Sequence, residues 1–513
     1  MINRNRRDFL ADVGRGMLLA SVGPALATDL GIGPAFAGEA AGRLSFGKME
    51  PLVSLMQDTP ADKLLPALIG KMKDGVDLGT LVSAGALANA RTFGGEDYTG
   101  FHAFMALLPS YQMAQELPKE RRALPVLKVL YRNTNRIQNF GGREKEVLHP
   151  VEPAELPKDR SGGELLREAT RKPDVSAAER TFAALAKGPI GEAYNHLQFT
   201  VQDELDVHRV VLAWRAWAVM DLVGKEQAHT LLRQSVRFCC DEEKSRKGVT
   251  PEIRTVLPKL LDQYKLVGKE LGKRQAEDGW IDRLAQTIYG SDRAKAADAA
   301  AAALAEGMSP EAVGEAISLA ANRLVLCDPG LRKEQASEGK PEGSVHGASV
   351  GVHASDAANA WRNIARVSNA RNTVASLIVG AYHTAGQSGS LNKEPNPLPE
   401  HLEKIKAKDA ETLLSETETA IKERDQKRAA ALVHRYGELA LPARPVFDLL
   451  LRYAVSEDGA LHAEKYYRTV TEEFASMRPA FRWRELVALA RVTASESGFP
   501  AAGYAEACRL LKV

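Results

Sequence analysis

The chain has 513 residues, 44% hydrophobic and 26% charged, the composition of a globular protein long enough for several domains or one extended repeat array. Its 68 basic and 66 acidic residues nearly cancel, without a basic face, which excludes the electrostatic footprint of a nucleic-acid binder. Four cysteines (Cys239, Cys240, Cys327 and Cys508) make no C-x-x-C pair or zinc spacing, which excludes a disulfide scaffold and leaves open a single bridge.

The chain begins with Arg6-Arg7-Asp8-Phe9-Leu10, a weakly apolar run, and an Ala35-Phe36-Ala37 exit, with Ala25-Leu26-Ala27 as the second cleavage candidate. This is the pattern of an export signal over residues 1–37, and it resembles the bacterial twin-arginine signal. The expected location is periplasmic or extracellular, with the twin-arginine export machinery as partner of the precursor. The alternative is an N-terminal amphipathic helix on a cytoplasmic protein. No later run reaches the roughly 18 apolar residues of a membrane span, so none is expected after cleavage.

Beyond residue 50 the chain repeats itself. Helix-period segments of similar order recur near residues 50–140, 175–241, 294–386 and 407–498. Each unit is expected to hold about four helices, the fourth unit running to the C-terminus at 513. The Pro- and Gly-rich stretches 141–174 and 387–406 read as linkers, and 242–293 as a helical connection. The third unit carries a Gly-, Lys- and Glu-rich insertion, 328–350, expected to be a mobile surface loop or lid. No useful β-alternation appears. The expected class is all-α: a multi-helix repeat array of four pseudo-repeats, either an open solenoid or a closed ring or bundle.

One feature recurs in all four units. His102, His208, His353 and His462 each open a helix of about four turns, and each follows a Gly or Asp (Gly100, Asp206, Gly351, Gly459) by two or three residues. A helix N-terminus disfavours imidazolium, so these histidines are expected neutral, the form that binds a metal. Two readings follow. The histidines converge and hold a transition metal such as iron or zinc, or each one hydrogen-bonds a neighbouring helix as a structural clamp. An open solenoid spaces its helices roughly 8–10 Å apart and cannot bring them together, whereas a closed ring can.

Secondary candidates are His346, seven residues before His353, and the cluster Asp203, Glu204 and Asp206, read chiefly as an acidic turn opening a helix. His196, His383 and His434 read as core or surface residues, and Trp214, Trp217 and Trp361 as core. H-E-x-x-H, G-x-S-x-G and the P-loop signature are absent.

The stretches "RRDFLADVGRGMLLASVG", "GFHAFMALLPSYQ" and "GVHASDAANAWRN" resemble exported, planctomycete-type all-helical proteins, and the histidine-led helices are more remotely similar to the questin oxidase-like family, associated with oxidative ring cleavage. Two functions are therefore expected as rivals. One is an exported metal- or cofactor-binding oxidoreductase acting on a small molecule. The other is a non-catalytic helical scaffold that grips a protein or glycan.

Overall fold

The computed structural model describes residues 42–246, 249–347 and 349–513. Residues 1–37, where the sequence leads one to expect an export signal, lie outside them. Helices dominate, and the described residues contain isolated β-bridges but no strand. None of their helices is long and apolar enough to cross a membrane.

Three consecutive helices from each unit build the centre of the molecule. They are α1 (Leu78–Phe93), α2 (Tyr98–Glu116) and α3 (Ala123–Phe140); α4 (Ile190–Val201), α5 (Val207–Ala218) and α6 (Ala228–Ser245); α7 (Pro310–Cys327), α8 (Val350–Val367) and α9 (Ala370–Thr384); and α10 (Arg444–Ser456), α11 (His462–Ser476) and α12 (Trp483–Glu496). Their starts are chemically marked. Asp97, Asp206 and Ser349 cap α2, α5 and α8 by accepting from Gly100, Arg209 and Val352 N–H, and Pro310 and Pro445 fall in first turns, where a missing N–H costs nothing.

The middle helix of each triplet packs on the middle helices of its neighbours: α2 on α5, α5 on α8, α8 on α11, and α11 back on α2. The array is thus a closed ring and not an open solenoid. Each inner helix is sheathed by its own flanking pair, as α8 is by α7 and α9. Close approach requires small side chains at the crossings. Buried alanines fill α7 (Ala312, Ala316, Ala320) and α8 (Ala354, Ala357, Ala358). The connection 242–293 adds helices Ile253–Gln263 and Asp278–Gly290.

All four cysteines are unbridged, three of them buried. In the insertion, residues 344–347 are pinned against α12: Ser495 Oγ donates to Val345 carbonyl (2.9 Å) and Gly347 N–H donates to Glu496 (2.9 Å). Trp361 is core, at 1% exposure. Trp214 and Trp217 are not. Both are only partly buried, because the ring opens toward the C-terminal ends of its helices and they line a cavity there.

Candidate metal centre

The glycines ahead of the histidines are packing requirements. A Cβ on Gly100 would stand 2.5 Å from the Phe93 ring, and one on Gly351 would stand 2.5 Å from the Val325 backbone. Glycine lets the first turns of α2 and α8 lie against α1 and α7, which sets the height of His102 and His353. In the fourth unit the presenting turn is strained instead. Gly459, Ala460 and Leu461 all have positive φ (50°, 48° and 66°), and the two non-glycine residues each store about 1–2 kcal/mol. That strain lifts His462 to the head of α11.

These elements bring the four histidines together. Their rings follow one another in a closed cycle: His102 to His208 4.7 Å between centroids, His208 to His353 5.6 Å, His353 to His462 5.3 Å, and His462 to His102 5.0 Å. Three of the four Nδ1 atoms face outward to oxygens. His102 Nδ1 lies 2.7 Å from Tyr98 carbonyl, His462 Nδ1 3.1 Å from Ala460 carbonyl, and His208 Nδ1 3.4 Å from an Asp206 carboxylate oxygen. In a neutral imidazole such a contact places the proton on Nδ1 and leaves a lone pair on Nε2.

Two of the Nε2 atoms face each other. His353 Nε2 lies 3.2 Å from His462 Nε2. With His462 Nδ1 donating to Ala460, the shared proton belongs to His353. The Nε2 atoms of His102 and His208 are buried and have no partner. Two metal ligands at about 2.0 Å in tetrahedral geometry stand about 3.3 Å apart, close to the His353–His462 spacing. Among the described residues no group of three or more His, Cys, Asp or Glu side chains is placed to hold a metal ion, so holding one requires the imidazoles to move from these positions.

The electrostatics keep His102, His353 and His462 neutral. Burial, then the nearby Lys465 ammonium, push His102 and His462 far below the usual imidazole range and His353 to about 3. Lys465 is itself buried, which lowers it to about 8 against the opposing pull of Asp356. Asp356 is raised by burial and accepts from Thr469 Oγ1 at 2.7 Å. Tyr98 covers the outer side, its ring 4.3 Å from that of His102, while remaining 60% exposed.

The acidic cluster beside His208 divides. Asp203 pairs with Arg171 (2.6 Å) and Glu204 with Arg246, while Asp206 alone caps α5 and orients the imidazole. His346 stands outside the cycle, 6.1 Å from the His462 ring and 3.5 Å from Glu496. His383 accepts from Trp361 Nε1 at 3.3 Å, and His434 faces Glu438 on the surface. Sequence reasoning missed Asp356 and Lys465. Both lie three residues after a ring histidine, on the same helix face one turn down, and that spacing was the available signal.

No protein-family model, curated protein or solved structure matches the chain.

Proposed function

We propose that the protein is an exported metalloprotein in which His102, His208, His353 and His462 hold one transition-metal ion, serving as an oxidoreductase. The observation that carries this reading is the pair of buried, partnerless Nε2 atoms on His102 and His208, in a cycle of rings whose other two Nε2 atoms stand 3.2 Å apart. Structural clamps would leave both atoms unsatisfied, at about 1–3 kcal/mol each. An ion satisfies all four ring nitrogens at once, displacing only the proton on His353.

Imidazole donors suit zinc, copper, iron and nickel. Four neutral donors leave the ion's charge uncancelled, and the carboxylates of Asp206 and Asp356 offset both it and the Lys465 ammonium. Redox work requires iron or copper; zinc held by four histidines would be a closed structural site. The twin-arginine-like segment supports the reading, since that route by resemblance carries proteins folded with cofactors in place.

The test is redox cycling of protein loaded with iron or with copper. A visible or EPR signal that appears and disappears reversibly with ascorbate and oxygen, and is lost in His208→Ala, is the expected result. Metal uptake at zinc alone, with no reversible signal from iron or copper, would refute the oxidoreductase role.

A further inference from the structure

The four ring helices run in one direction. All four present a histidine at the start, and residues about ten positions later on α2, α8 and α11 meet again around one cavity, with the end of α5 completing the wall. At 1.5 Å per residue this second site lies about 15 Å down the axis from the histidines. Its volume is 520 Å³, within the usual range for small-ligand sites.

Its wall contains a buried charge with only a distant, shared partner. Arg215 is 3% exposed, it makes no hydrogen bond, and its nearest carboxylate, Glu472, is 3.9 Å away. Glu472 is already engaged by Arg468 (2.7 Å) and Asn363 (3.1 Å). Arg215 Nε is fully enclosed with no acceptor, and so is the indole Nε1 of neighbouring Trp214. A buried guanidinium whose one carboxylate partner stands 3.9 Å away and is shared with Arg468 is under-compensated, which leaves it able to take a further anion. The remaining wall is mixed: Gln112, Asp221, Asn363, Arg468 and Glu472 supply its polar half, and Trp217 and Tyr111 supply flat faces. Trp217 lies with its ring 4.4 Å from that of Tyr194, and the cavity beside it is also lined by Leu108 and Val367.

From these contacts we infer that the cavity binds a small organic carboxylate with a flat apolar body. The carboxylate accepts from the terminal Nη groups of Arg215, and the body packs along Trp217. A carboxylate suits this guanidinium because a bidentate, charge-assisted pair satisfies both its donors and its geometry. The site is separate from the histidine ring and does not depend on a metal being there.

The experiment is calorimetric and tryptophan-fluorescence titration of the full chain with benzoate, against benzylamine and inorganic phosphate. Benzoate is expected to bind 1:1 with a Kd of about 1 mM or tighter, and both controls at least about tenfold more weakly. Arg215→Gln is expected to melt close to wild type, since it removes a weakly paired buried charge and leaves Glu472 its Arg468 partner, and to weaken benzoate about tenfold or more. Should that variant fail to fold, Trp217→Leu, which leaves the charges in place, must still weaken benzoate. No benzoate binding up to about 10 mM, phosphate or benzylamine binding equally well, or full affinity in both variants would overturn the inference.

Discussion

His102→Phe separates a metal ligand from a structural clamp. His102 is 2% exposed, its Nδ1 faces Tyr98 carbonyl at 2.7 Å, and its Nε2 has no partner. Phenylalanine loses the first contact, at about 0.5–1.5 kcal/mol, and relieves the orphaned nitrogen, at about 1–3 kcal/mol. Without metal the variant should therefore be as stable as wild type, or up to about 2 kcal/mol more stable. With an ion at about 100 times its Kd, wild type gains about 2.7 kcal/mol. For roughly 470 residues the unfolding entropy is about 1 kcal/mol/K, so that gain raises Tm by about 3 °C. A ligand loss that weakens affinity a hundredfold cuts the gain to about 0.4 kcal/mol. The assay is scanning calorimetry of both proteins with and without Zn(II), Cu(II) and Fe(II), with His102→Leu as a smaller companion. If the variant melts well below wild type without metal and both respond equally to metal, the ligand role is wrong.

Asp206→Asn keeps the α5 cap but loses the charge beside His208 Nδ1 (3.4 Å); metal affinity is expected to fall about 10–100-fold with little change in the metal-free Tm, read by competition titration. Lys128→Met strands the buried carboxylate of Glu464, 2.6 Å from the ammonium it loses, and should cost about 3–5 kcal/mol in urea unfolding; adding Glu464→Leu should recover most of that. Burial pushes His229 and His383 down to about 4, so on unfolding each takes up a proton at pH values between about 4 and the ordinary 6.5. Folding stability is then intact above pH 6.5 and lost as pH falls to about 4, at up to about 1.4 kcal/mol per unit and site. Replacing His229 with leucine should flatten that slope, and an unchanged slope would contradict the assignment.

The all-α class and the histidine-led helix starts could be read from residue pattern because helix periodicity and a Gly or Asp shortly before a histidine are local. Gly100 and Gly351 stand in sequence where two helices must touch, so even their packing role left a mark. Ring closure left none. It depends on α11 meeting α2, about 360 residues apart in the chain, and a repeat pattern is the same in a ring and in an open array. For the same reason the polar layer below the histidines was missed. Asp356, Lys465 and Arg215 each read as ordinary helix residues until closure places them on one axis. Trp214 and Trp217 read as core because aromatic residues at helical spacing usually are, and only the opening at the ring's far end makes them a cavity wall.

The most direct measurement is metal stoichiometry, by elemental analysis of the full chain purified without chelator, beside His102→Phe and His462→Ala made the same way. A four-histidine centre requires about one equivalent of a single transition metal in wild type and little in either variant. A metal-free wild type that also stays metal-free after incubation with zinc, copper and iron would contradict it, and would leave the histidine ring as packing.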